Sequence, residues 1–471
     1  MRSIAPLLLL VVHMAHAQSA WTLEQCVARA EERNLTLRGA LLDTELADRA
    51  REQSFWSFFP DLNGGATHGY NYGRVIDRFT NTFATDRVRT NNFFLSSDLT
   101  VFNGLRLHNE RRRAGLDLQS AQEAGDAVRN DVRTTVARQF IEVLSAEERI
   151  RAAEAQLAST TQQTERMQAL VDAGRNARSE LINLRSQQAQ QEFTLVDLRN
   201  RREQALLQLA QTLQLSSEEL RAFSVSGPAL SAMNVAEPTA DVETVLAAVL
   251  AQDPLYRQAE LRASSAERGV AIARAGSYPV LSFNASAGTG YSGRNFEAIG
   301  DPIVGPPEQI GFTESNEAVF VPNVDYETQV RPFGKQLDDN LNESLGLTLS
   351  LPIFNNRRTE LAVSQARIQQ ERAELEVVNV RDRRRRDVQD AILAQRAAYQ
   401  QYQAAQRSVE AAEENLRFAE ARFEQGATNA LELNTARNDL QRVTADRITA
   451  KYTYVLAVKL LDILQGLPLT L

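Results

Sequence analysis

Chemistry in this chain would have to come from very few side chains. Four histidines and one cysteine occur among 471 residues. His13 and His16 fall in an N-terminal stretch that reads as an export signal. Only His68 and His108 remain, and they belong to different predicted elements. The lone Cys26 allows no intrachain disulfide. It sits in Leu23-Glu24-Gln25-Cys26, where Glu and Gln are wrong for a lipoprotein signal, so it is read as core packing. No Ser/His/Asp set, Gly-rich phosphate loop or metal-ligand spacing is visible, so no catalytic, cofactor or metal site is assigned. A formal charge of −8 argues against nucleic acid as a partner. What remains is electrostatic. Asn429-Ala430-Leu431-Glu432 reads as a capping box, with Glu432 folding back onto the Asn429 amide. Glu180 occupies the matching place in an earlier segment but has Ala177 where the cap should be. Arg383 to Arg386, between Asp382 and Asp387, reads as a solvated charged face.

The elements that carry these residues occur twice. Leu99 to Gln214 can be laid on Leu351 to Gly466 at a constant offset of 252, without a gap. Leu99-Thr100-Val101-Phe102-Asn103 then meets Leu351-Pro352-Ile353-Phe354-Asn355; Gly174 meets Gly426, and Glu180 meets Glu432. Upstream, Phe59-Pro60 matches Tyr278-Pro279 at an offset of about 219. Internal duplication implies one module used twice.

Each module opens with helical sequence, introduced in the first copy by the capping box Thr22-Leu23-Glu24-Gln25. Two strands follow. Leu345, Leu347, Leu349 and Leu351 alternate with Ser344, Gly346, Thr348 and Ser350, the period of a strand with one apolar face. Strands of about 9–11 residues, apolar on one side, have the length to cross a bilayer. The loops between the strands differ. Residues 75–91 carry Arg78, Arg87 and Arg89, whereas 295–340 are acidic and hold Pro302, Pro306, Pro307, Pro322 and Pro332. Those prolines predict an exposed loop without long regular structure. A proline-free helix then runs long enough for about 100 Å at about 1.5 Å per residue. Its apolar residues recur at Leu361, Ile368 and Leu375, a supercoiling interval. It turns at Gly174 or Gly426, where glycine suits a left-handed helix end, and a shorter helix returns.

The expected organisation is a signal peptide at 1–17, a first repeat at 18–230 and a second at 231–471. The first has helices within 22–58, strands 60–73 and 92–102, a long helix 104–171 and a helix 178–214. The second has helices within 241–275, strands 279–292 and 341–352, a long helix 356–424 and a helix 429–465. Ser216 to Ala240 reads as a linker. Four strands cannot close a membrane barrel, for which about eight is the minimum. An open sheet edge in lipid would leave backbone groups unpaired. Several chains must therefore share one barrel.

The Trp21-Thr22-Leu23-Glu24-Gln25-Cys26 stretch, the Leu351–Asn355 strand end and the 426–440 turn together resemble the TolC family of outer-membrane efflux proteins. Asn71-Tyr72-Gly73-Arg74-Val75-Ile76-Asp77 is similar to the Bacteroidetes form. The resemblance implies an α+β membrane protein. It would be a homotrimer with a twelve-stranded transmembrane β-barrel in outer-membrane lipid, continued by a long periplasmic α-helical barrel. It implies an exit duct that receives substrates from an inner-membrane pump of RND or ABC type through a periplasmic adaptor. Adaptor contacts would fall at the two turns, on Val171, Asp172, Gly174, Phe423, Glu424 and Gly426. Entrance residues would be Glu432, Thr435, Glu180 and Thr428. Members often carry a second acid at the position of Thr435 and an arginine at that of Thr428, so this gating network must differ. Glu432 stands open between helix cap and pore ring, and the roles can coexist. A non-transporting periplasmic or surface coiled-coil scaffold is the alternative reading of the whole chain.

Overall fold

The computed structural model describes residues 20–85 and 87–471. The export signal expected at 1–17 lies outside the described residues. In chain order the elements are α1 (Leu23–Arg33), α2 (Leu35–Trp56), β1 (Asn63–Asn71), β2 (Val75–Ile76), β3 (Phe83–Ala84), β4 (Val88–Asn103), α3 (Arg106–Asp172), α4 (Arg178–Thr212) and α5 (Ser217–Arg221). They continue with α6 (Val242–Gln252), α7 (Pro254–Arg274), β5 (Val280–Ser292), β6 (Phe296–Val304), β7 (Glu308–Phe312), β8 (Ala318–Val321), β9 (Val324–Val330), α8 (Phe333–Asp339), β10 (Asn342–Ser350), α9 (Arg358–Glu424) and α10 (Ala430–Leu464). The long helices α3 and α9 both have 67 residues, and the returning helices α4 and α10 both have 35. The chain divides into two compact units. One comprises the residues up to Asp48, Leu116–Ser264 and Glu371–Leu471; the other comprises Arg49–Gly115 and Ser265–Gln370.

The helical unit is held by short opening helices packed against the middle of the long ones. Thr22 and Gln25 form both arms of a capping box that starts α1. Leu23, Cys26 and Ala30 then share one face at helical spacing and are fully buried. They meet Val136, Phe140 and Val143 of α3, Leu209 of α4 and Tyr452 of α10 in one cluster. Phe140 is the largest fully buried side chain there, so Phe140→Ala should cost about 3–5 kcal/mol. Burial pushes the Cys26 thiol up to about 12, as a packing role demands. In α6, Val245, Leu246 and Val249 pack on Val388 and Ile392 of α9 and Leu461 of α10.

Asn34 breaks the first helical stretch. It ends α1, and its Oδ1 accepts from the Thr36 and Leu37 amides at 3.0 and 3.2 Å, which starts α2. Asp253 does the same before Pro254, accepting from the Tyr256 amide at 2.9 Å. Both junctions touch the end of a returning helix. Asn34 Nδ2 donates to the Thr212 carbonyl at 3.3 Å, and Gln252 Nε2 donates to that of Gln465.

Two connecting segments carry structure that their composition does not show. Residues 216–240 connect the two repeats and are also packed against the core. Ser216 and Glu219 cap α5, Val225 bridges Trp21, and Phe223, Val225 and Met233 are buried in the main cluster. Three apolar side chains in a polar stretch pulled it into the core. Residues 295–340 hold no long element, as the prolines predict, but they do hold short ones of at most nine residues. They form β6 paired with β9, β7 paired with β8, and α8. Pro302, Pro306, Pro307 and Pro322 lie at a bulge or between strands, where no ladder donor is lost.

In the other unit, a four-stranded antiparallel sheet has the order β1-β4-β5-β10. Residues paired directly across strands share a face. Leu99, Phe283 and Leu347 stand in one row; Phe102, Leu281 and Leu349 stand in the next. The other face carries rows such as Asp98, Asn284 and Gly346, and Thr100, Ser282 and Thr348. Asn284 Nδ2 donates to Asp98, and Thr348 donates to Asn284 Oδ1 at 3.3 Å. β4 starts at Val88, four residues earlier than the expected 92, because Asn71 pairs with Val88 and Arg89 lies over the Tyr291 ring.

Candidate functional site

The two helix reversals bring most of the sequence-selected residues together. Each rests on a left-handed glycine. Gly174 has φ +70° and Gly426 has φ +69°. At each, two amides reach back to the last turn: Gly174 to Val171 and Arg175 to Leu170, then Gly426 to Phe423 and Ala427 to Arg422, at 2.8–3.0 Å. This is the Schellman arrangement, which satisfies carbonyls that a helix end would leave unpaired. No heavy atom lies within 4 Å of an added Cβ at either glycine. Backbone handedness alone, and not crowding, requires them.

Side chains separate the two turns. At the second, Asn429 caps α10 by accepting from the Glu432 amide at 3.0 Å. The reciprocal arm of the expected capping box is absent. Glu432 Oε1 accepts from Arg422 Nη1 at 2.7 Å, and Oε2 accepts from the Thr428 hydroxyl. Either partner would make a charge-assisted bond to the carboxylate, but the Arg422 guanidinium ten residues upstream also brings the opposite charge. At the first turn, Ala177 offers no cap, and Glu180 accepts only from Asn176 Nδ2, at 2.9 Å. Thr435 is exposed, and its hydroxyl returns to the Leu431 carbonyl of its own helix.

Behind the turns lies a cavity of about 430 Å³ between α3, α4, α9 and α10. Glu180, Phe423 and Glu424 line it, with Leu170 and Leu433. Arg437 spans it. Its side chain is only 13% exposed, and it donates to Gln163 of α3 and, at 3.1 Å, to Glu420 of α9. Arg437 and Arg422 were not selected from sequence. The offset of 252 contains a signal for both. Arg437 falls on Arg185, which donates to Gln168, the counterpart of Glu420, at 2.7 Å. Arg422 falls on Leu170, a change from apolar to charged at one turn only. Val171 is half-buried and Asp172 is exposed, accepting from Gln168 Nε2.

The sheet supplies the second functional surface. Leu345, Leu347, Leu349 and Leu351 are 58–77% exposed, a row of leucines facing away from the chain. No helix among the described residues is long and apolar enough to cross a membrane. No group of three or more His, Cys, Asp or Glu able to hold a metal occurs among the described residues.

The profile of the outer membrane efflux protein family matches residues 26–213 and 245–466. The chain belongs to the outer membrane efflux protein family. Comparison with curated proteins finds no match. Solved structures share the fold of this efflux protein. The CmeC outer membrane channel of Campylobacter jejuni is 16% identical with a TM-score of 0.73, over 94% of this chain and 85% of that one. VceC of Vibrio cholerae is 16% identical with a TM-score of 0.71, over 94% and 96%. The MtrE outer membrane channel of Neisseria gonorrhoeae, in its open state, is 19% identical with a TM-score of 0.71, over 95% and 89%. Membership places the efflux protein in the outer membrane and makes transport its function, so the scaffold reading is set aside.

Proposed function

We propose that three copies of this efflux protein form one exit duct. The observation that carries this reading is the sheet. Among the described residues it has four strands, its edges β1 and β10 pair with no further strand, and one face presents leucines. Such a sheet is unstable in lipid alone, because each unpaired backbone group there costs several kcal/mol. Pairing β10 of one chain with β1 of the next satisfies both edges, and three copies close twelve strands around a channel. The leucine face then meets lipid, and the Asp98–Asn284–Thr348 face lines water. In this reading the chain is a duplicated module, at residues 18–230 and 231–471.

The helices continue the duct into the periplasm, and the turns form its inner end. Val171, Asp172, Gly174, Phe423, Glu424 and Gly426 meet a periplasmic adaptor, which delivers substrates from an inner-membrane pump of RND or ABC type. Glu432, Thr435, Glu180 and Thr428 surround the entrance. Each Glu432 carries its own Arg422, so a ring of three would attract cations weakly. Electron microscopy of detergent-extracted protein tests the duct. A threefold particle with a short barrel and a stalk of about 100 Å is expected. A single-chain particle without a detergent belt would overturn the reading.

A further inference from the structure

The two loops between strands leave the same end of the sheet, because β1 and β5 run toward that end and β4 and β10 run away from it. The longer loop holds an arm of two hairpins, β6 with β9 and β7 with β8. A two-stranded hairpin is marginally stable by itself. This one does not cover its own apolar side chains: Ile303, Val304, Ile310, Phe312 and Phe320 are 57–74% exposed. Its charge is one-sided. The cations of the segment, Arg331 and Lys335, pair with Glu297 and Asp339. Asp301, Glu308, Glu314, Glu317, Asp325 and Glu327 have no cation of the arm left to meet.

The loop between β1 and β4 has the opposite character. It carries Arg74, Arg78 and Arg87 against Asp77 and Asp86, a net positive charge, and its Tyr72, Ile76 and Phe83 are 57–72% exposed. Arg74 lies over the Phe83 ring and Arg87 over Tyr70, which fans apolar and cationic groups across one small surface. Contacts to its own chain are concentrated at the base of the longer loop. The Asp77 carboxylate accepts from the Ser292 hydroxyl and from the Phe79 and Thr80 amides. Gln336 of α8 brackets Ser292, bonding both its amide and its carbonyl.

We propose that the arm of each protomer lies across the β1–β4 loop of the adjacent protomer, acid on guanidinium and apolar on apolar, as a clasp around the open end of the barrel. The inference rests on the trimer reading. With β10 of one chain beside β1 of the next, the acidic loop of one stands next to the basic loop of the other. The clasp covers a hairpin that water would not support, and it neutralises two surfaces of opposite sign.

The test uses the full chain in detergent. Native mass spectrometry reads the oligomer, and chymotrypsin, which cuts after Phe312, Phe320 and Tyr326, reads exposure of the arm. A protected arm is expected in a wild-type trimer. The triple variant Arg74→Glu, Arg78→Glu, Arg87→Glu should remain a trimer whose arm is cut about tenfold faster. Adding Asp301→Arg, Glu308→Arg and Glu327→Arg should restore protection. A trimer whose arm is cut equally fast with and without the reversals would overturn the clasp and leave the duct standing. So would protection that appears only when lipopolysaccharide is added, since the occupant would then be the lipid surface. A monomeric mass would overturn the trimer, and the clasp with it.

Discussion

The turns at Gly174 and Gly426 have one backbone and two sets of side chains. Both glycines sit at φ near +70°, with the same pair of amide bonds closing the helix end. Beyond that they part. The second turn is capped by Asn429 and strapped by Arg422 through Glu432 to Thr428. The first has Ala177 in the cap position and a single side-chain bond to Glu180. Behind them, Arg437 meets a charged Glu420 where Arg185 meets a neutral Gln168. The lesson is a division of labour. Chain reversal depends on backbone handedness and uses glycine at both turns, whereas locking depends on side chains and is concentrated on one turn.

The largest effect should come from the shared part. Gly174→Val and Gly426→Val each force a β-branched residue into a left-handed conformation, at about 2 kcal/mol or more. Hydrogen exchange of the following helix should accelerate equally in both variants. A clear inequality would show that the backbones are not equivalent. Next is the cap. Asn429→Ala should loosen the first turn of α10 by about 1 kcal/mol, and Ala177→Asn should tighten that of α4 by a similar amount. Exchange rates of the first-turn amides measure both.

The strap should matter less for stability and more for conduction. Arg422 and Glu432 are both about half exposed, so Arg422→Gln should cost under about 1 kcal/mol. In bilayer recordings that variant should raise cation selectivity, because Glu432 loses its counter-charge. Glu432→Gln should lower it, and Glu180→Gln should do little. Equal effects of the two glutamates would erase the asymmetry between the turns. A last comparison concerns the opening helices. At the offset of 219, Cys26 falls on Val245, and both are buried. Burial raises the Cys26 thiol from 9.0 to about 12, so its contribution to stability is complete below pH 9 and is lost as pH rises toward 12. Cys26→Val should fold normally and show a shallower loss of melting temperature between pH 9 and pH 11 than the wild type.

Much of this was legible in local pattern. The leucines of β10 alternate, glycine marks both turns, and Thr22 with Gln25 announces α1; each signal acts within a few residues of where it is read. The start of β4 was misread because Val88 is held by its pairing with Asn71, on another strand. The packing of residues 216–240 was not legible because Phe223, Val225 and Met233 find their partners far away in the chain. The capping arm of Glu432 failed for the same reason: Arg422, on the preceding helix, reaches the carboxylate first.

By itself, the sequence determined what depends on short-range sterics and periodicity. Those are the long uninterrupted helices, the left-handed reversals and the two-faced strands. Only the tertiary structure decided which polar partners meet. Arg422 with Glu432, Arg437 with Glu420, and Asp77 with Ser292 each join residues from different elements. A side-chain bond between separate elements has no period and no fixed spacing, so nothing short of the packed chain could specify it.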